Sequence, residues 1–151
     1  MTVRIVVFMA MLCAASVLHA AGPAPMPYSA VEVDRFVAAP GVAFPADYQN
    51  TLAEDIAREI SLAFQTVVIV HQGEAAPYGH ALVRVSGVVS LFKRFGAGSA
   101  VLRAQVWFID AATGQVLLNR EVKGRGSQGP GDGLAKKIAK LYNAGHLEET
   151  K

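Results

Sequence analysis

Apolar and polar positions alternate along this chain with two different periods, and the change from one to the other outlines the elements. From about Asp47 to Gln65, Tyr48, Leu52, Ile56, Ile60 and Phe64 recur every fourth residue, the stripe of an amphipathic helix. Thr51 and Glu54 have capping-box spacing, but Asp47 is the better start because Tyr48 already lies on the stripe. Leu134, Ile138, Leu141 and Tyr142 predict a short final helix, capped by Asp132. The strands have period two. Ala30 to Val37 is a short first strand, with Val31, Val33 and Arg35 against Glu32, Asp34 and Phe36. Thr66 to Val70 is a β-branched run. Ala81 to Phe92 sets Val83, Val85, Val89 and Leu91 on one face and Arg84, Ser86 and Ser90 on the other. Ser99 to Asp110 turns Leu102, Ala104, Val106 and Phe108 inward and Arg103, Gln105 and Trp107 outward, and Val116 to Arg125 returns.

Two glycine turns join the long strands. Gly96 and Gly98 close one connection. Asp110 to Gly114 forms the other, with Gly114 where a positive φ is wanted. Strands with one polar face and two helices able to cover the other predict an α+β two-layer sandwich. Its sheet is mostly antiparallel, with four to five strands and both helices on one face.

The N-terminus follows another pattern. Sixteen of residues 1–20 are apolar, Arg4 supplies a positive start, and Leu18-His19-Ala20 offers an aliphatic residue at −3 and a small one at −1. About 14 apolar residues fall short of the roughly 20 that span a bilayer, so the layout reads as a cleaved secretory signal. Cys13, the only cysteine, follows Leu12 where a lipidation signal wants a small residue, so it reads as part of the apolar stretch. The resulting division is signal peptide 1–20, Pro-rich linker 21–29, one α/β domain 30–145 and a flexible tail 146–151. The predicted location is the periplasm, with association with the outer membrane left open. Mean hydropathy is +0.33, much of it contributed by the first twenty residues.

A net charge of +2 excludes the basic excess of a general nucleic-acid binder. The average hides an asymmetry: residues 30–92 hold three basic and seven acidic residues, whereas 93–140 hold nine basic and three acidic. On the outward face Arg84, Arg103, Lys123 and Arg125 gather around Trp107. Two readings compete: ordinary cross-strand pairing, such as Glu121 with Arg103, and a docking face for an anionic partner anchored by the tryptophan. An acidic lipid, a polysaccharide or an envelope protein would fit that face.

Catalytic and metal signatures are weak. Gly96-Ala97-Gly98 lacks the third glycine of a dinucleotide loop and precedes a strand instead of a helix. The glycine-rich stretch Gly124 to Gly133 has Asp132 where a phosphate loop needs lysine, so it reads as a flexible connector. His71, His80 and His146 lack metal-ligand spacing, and Ser99 completes no nucleophile elbow. Glu54, Asp55 and Glu59 share a helix with Arg58 as a solvated face does. No catalytic residue, metal or cofactor is therefore assigned. The expectation is a non-catalytic binding or accessory module. A small-ligand carrier and a hydrolase, for instance around His71, Glu74 and His80, are the alternatives.

The segment Phe95-Gly96-Ala97-Gly98-Ser99-Ala100, then a strand, then Asp110-Ala111-Ala112-Thr113-Gly114-Gln115-Val116-Leu117, resembles a bacterial envelope family known as domain of unknown function 4410. The likeness is clearest over residues 92–126 and extends over 30–143. Arg94 stands where that family has glycine, and Gly129-Pro130-Gly131-Asp132-Gly133 replaces a later Gly-Gly-Ser element. The resemblance implies an exported protein, often a lipoprotein, and implies no activity.

Overall fold

The computed structural model describes residues 28–96, 99–126 and 131–144. The signal segment, most of the linker, Gly98, His146 and the tail lie outside the described residues. The elements are β1 (Ala30–Val33), β2 (Val37–Ala38), α1 (Ala46–Ala63), β3 (Val68–Val70), β4 (Leu82–Phe95), β5 (Ser99–Asp110), β6 (Val116–Gly126) and α2 (Asp132–Ala144). The strands form one sheet in the order β3-β1-β4-β5-β6, with β2 alongside β4. β4, β5 and β6 are antiparallel. β1 and β2 run parallel to β4, and β3 runs parallel to β1, so the sheet is mixed and has more strand segments than expected. The class is the α+β two-layer arrangement.

Both helices cover one sheet face. α1 packs on β1, β3 and α2, while α2 packs on β6, β5 and α1. Leu52, Ile56 and Ile60 from α1, Leu134 and Ile138 from α2, and Val83, Val85, Leu102, Val106 and Phe108 from the sheet fill the space between them. The core is thus occupied by side chains.

The local corrections have physical causes. The first strand breaks after Val33, which turns Phe36 into the core and leaves Arg35 exposed. Phe36 lies over Gly87, where a Cβ would come within 2.1 Å of its ring. The bare backbone of β4 is the seat for that ring. α1 begins at Ala46 after Pro45, with no side-chain cap, and Thr51 Oγ1 donates to the Asp47 carbonyl inside the helix, so no capping box forms. Asp132 is the first residue of α2 and pairs with Lys136 Nζ at 3.0 Å, while the Gly131 carbonyl accepts from Ala135 N–H.

The glycine-rich stretch also differs from a flexible connector over its described residues. Gly124 and Gly126 belong to β6, and Gly133 to α2. A Cβ on Gly124 would meet Leu134 N at 2.3 Å, and one on Gly133 would meet the Arg125 carbonyl oxygen at 2.2 Å. The glycines let the first turn of α2 rest directly on β6.

Tyr28, two residues before β1, is tied to both α2 and the β5–β6 turn. Tyr142 Oη donates to the Tyr28 carbonyl at 2.6 Å, and Tyr28 Oη donates to Asp110 Oδ2 at 2.7 Å. Asp110 Oδ1 accepts from Ala112 N–H and Thr113 N–H, closing the predicted hairpin turn with Gly114 at φ +73. Burial, then the Asp110 hydrogen bond and charge, push the Tyr28 hydroxyl up to about 12. The same hydrogen bond, with those from the turn backbone, holds Asp110 below its usual value.

Candidate functional site: a basic groove on the outer sheet face

The sheet face away from the helices carries all five residues that the sequence nominates, but it divides them. Arg84 is committed within the protein. Its Nε and Nη2 donate to Glu32 Oε2 at 3.2 Å, and Glu32, only 2% exposed, also accepts from Gly73 N–H. Arg84 Nε lies 3.8 Å from Asp34 Oδ1 as well. Burial raises the Asp34 carboxyl, Arg84 opposes that, the Glu32 charge adds to it and a Ser86 hydrogen bond opposes it. An arginine bound to two carboxylates contributes little field to a visiting anion.

Trp107 stands half-buried in register between Ser86 and Asn119. Beside it Gln105 Nε2 donates to Asn119 Oδ1. Arg103 Nε sits 3.6 Å from Glu121 Oε1, the cross-strand pair that the sequence offers as the ordinary alternative.

Beyond Arg103 the face changes character because of a bulge. The β4–β5 register pairs Val89 with Ala104 and Leu91 with Arg103, leaving Ser90 as an extra residue. An odd insertion exchanges the two faces of every residue after it. Leu91, Lys93 and Phe95, which unbroken alternation would turn toward the helices, therefore lie on the outer face. Phe92 turns inward against Phe44 and Tyr48, at ring-centroid distances of 5.3 and 5.5 Å. Arg94 follows it, 5.9 Å from the Tyr48 ring centroid.

The displaced residues build an open groove of about 450 Å3, lined by Leu91, Lys93, Phe95, Val101, Lys123, Gly124, Arg125 and Lys137. Lys93 and Arg125 flank Val101 across the sheet, and Lys123 stands beside Arg103. Lys137 reaches in from α2, where its Nζ donates to the Lys123 carbonyl at 2.6 Å. Four cations thus ring an apolar floor, with no carboxylate among the described lining residues.

Lys123 and Arg125 from the sequence-nominated set enter this groove. Arg103 borders it, and Arg84 and Trp107 stand apart, with Trp107 about 20 Å along β5 from Val101 at the usual strand rise. Lys93, Lys137 and the apolar floor were not nominated. The signal for the first and the last was the spacing from Val89 to Phe92, three residues apart where strict alternation allows only even separations. Lys137 has no such signal, since only tertiary packing places α2 on β6.

The residues considered for catalysis are separated in their bonding. Glu74 Oε2 accepts from the backbone N–H of His71 at 3.4 Å, while the His80 ring bonds the Ser29 hydroxyl at 2.8 Å. No group of three or more metal-ligating His, Cys, Asp or Glu occurs among the described residues. No helix among them is long and apolar enough to cross a membrane.

Neither a protein-family model nor a curated protein sequence matches the chain. Solved structures do. Two crystal structures of the PelC dodecamer from Paraburkholderia phytofirmans, one of them a single-substitution variant, are 19% and 18% identical with TM-scores of 0.56 and 0.54. The alignments cover 85% of this chain and 94% of theirs. Protein XCC0632 from Xanthomonas campestris, of DUF330, is 13% identical with a TM-score of 0.52 over 82% of this chain and 86% of its own. At such identities the likeness is one of fold.

Proposed function

We propose that this protein is a non-catalytic binding module of the bacterial cell envelope that captures an anionic partner in the groove at the open end of its sheet. The observation that carries the reading is the convergence of Lys93, Lys123, Arg125 and Lys137 without a carboxylate among the described lining residues. Surface cations on a sheet are normally interspersed with acids, as Arg103 and Glu121 are here. Four like charges held together raise the local potential and favour whatever anion can neutralise them. The envelope location rests on the export-like pattern of residues 1–20 and on the resemblance to domain of unknown function 4410. That resemblance is the family assignment we propose.

The test is binding of dextran sulfate by the purified protein, followed by isothermal titration calorimetry at two salt concentrations. Binding should weaken as salt rises. Lys123→Gln with Arg125→Gln should weaken it strongly, and Arg84→Gln should weaken it far less. Equal losses from both substitutions would show a diffuse surface effect, and the groove would have no part in it.

A further inference from the structure

The groove holds two kinds of chemistry, and an anion accounts for only one of them. Its floor is Leu91, Phe95 and Val101. Phe95 is 51% exposed, paired with Ser99 at the last rung of the β4–β5 ladder and followed by Gly96 at φ +61. A hydrated polysaccharide or an acidic peptide backbone satisfies lysines and arginines but leaves that apolar surface in water. An anionic amphiphile satisfies both.

We infer that the groove seats anionic phospholipid at a bilayer surface, with Phe95 entering the headgroup region and Lys93, Lys123, Arg125 and Lys137 holding phosphates. The inference rests on the anion-binding reading above and names the partner. Aromatic rings prefer the membrane–water interface, and lysine and arginine beside them keep their heads in the phosphate layer. The placement suits such contact. The cations come from β4, β6 and α2 and extend from beside Phe95 across the outer face to the β6 edge of the sheet. Arg94 plays no part, being turned to the opposite face over Tyr48. Tyr28 is fixed beside Asp110, at the far end of the long strands, and Leu82 to Phe95 spans about 40 Å.

Sedimentation of the full chain with vesicles tests this. The protein should sediment with vesicles of equal parts phosphatidylcholine and phosphatidylglycerol and stay in solution with phosphatidylcholine alone. Lys123→Gln with Arg125→Gln should weaken the binding about thirtyfold, as two interfacial cations are worth. Phe95→Ser should weaken it about tenfold or more. Lys93→Gln with Lys137→Gln is a second pair that repeats the charge test from other elements. In a Trp107→Phe background, Phe95→Trp should shift its emission to the blue on adding the anionic vesicles.

Retained dextran sulfate binding without vesicle binding would overturn the lipid assignment and leave the anion site standing. Loss of neither upon the groove substitutions would overturn both. Vesicle binding indifferent to Phe95→Ser, with no emission shift, would reduce the contact to charge alone and overturn the seated-lipid geometry.

Discussion

Substitution of Gly124 by alanine probes the contact that fixes α2, and with it Lys137, against the sheet. The added Cβ would sit 2.3 Å from Leu134 N, 2.6 Å from its Cα and 2.7 Å from its Cβ. An ordinary contact begins at 3.4 Å, so the first turn of α2 must retreat by roughly 1 Å. The obstructing atoms are mostly backbone, and no side-chain rotation can clear them. Gly133 makes the reciprocal approach to the Arg125 carbonyl, so the strain cannot be passed along the helix. Overpacking of this kind costs about 1–3 kcal/mol. Detachment of the helix sets the upper bound. Leu134 and Ile138 are both 0% exposed, and burying such a side chain is worth about 1.5–3 kcal/mol, so losing both costs about 3–6 kcal/mol. The expected loss for Gly124→Ala is therefore about 1–3 kcal/mol, rising to at most about 3–6 kcal/mol if the helix detaches, against the 5–15 kcal/mol typical of a domain. Urea unfolding followed by circular dichroism measures it. A loss below about 0.5 kcal/mol, the range of an ordinary surface change, would refute the close approach of β6 and α2.

The remaining expectations concern the two polar networks. Arg84→Met strands the Glu32 carboxylate, which is 2% exposed, and should cost about 2–3 kcal/mol; the cost falls below that of a fully buried pair because the guanidinium side chain is 41% exposed. Glu32→Gln in the same chain should recover part of it, and a double-mutant cycle in urea reads the coupling. Tyr28→Phe removes the hydrogen bond to Asp110 and should cost about 1 kcal/mol at neutral pH. Because the Tyr28 hydroxyl is raised from 10.0 to about 12, its contribution is complete below pH 10 and is lost as pH climbs toward 12. The Tyr28→Phe variant should lose less stability over that window. Asp110 has the opposite sign: its lowered value stabilises the fold above the ordinary carboxylate range and is lost as acid protonates it, so Asp110→Asn should flatten the acid limb of a stability–pH curve.

How much of this could be read from sequence depends on whether a feature is local. The stripe from Tyr48 to Phe64, the alternation through Leu102 to Phe108 and the Asp110–Gly114 turn each follow from neighbouring residues. They appear in the structure within a residue or two. The parallel placement of β1 between β3 and β4 could not be read, because alternation reports faces and not partners. Ser90 matters most for the site. One inserted residue exchanges the faces of everything after it, so a reading that carries the period through Leu91 assigns Lys93 and Phe95 to the wrong side. Gly124 and Gly133 depart from a connector reading for a related reason. A missing side chain looks the same in sequence whether it permits motion or close packing, and only the Leu134 backbone beside Gly124 decides between them.

Arg84 and Arg125 illustrate the same limit in charge. In sequence both are outward arginines on long strands of one sheet. In the structure one is bound to Glu32 and Asp34, and the other belongs to a groove without acids among its described lining residues. Their difference lies in β1, whose position beside β4 no local pattern discloses.

The central claim is that anion recognition resides at this end of the sheet. Amide chemical-shift mapping during titration with dextran sulfate tests it most directly. The expected result is a set of perturbed amides confined to Leu91–Phe95, Val101, Lys123–Gly126 and the turn of α2 around Lys137, with Arg84, Trp107 and the His71–His80 loop unmoved. Perturbations centred on Arg84 and Trp107, or spread evenly over the surface, would contradict it.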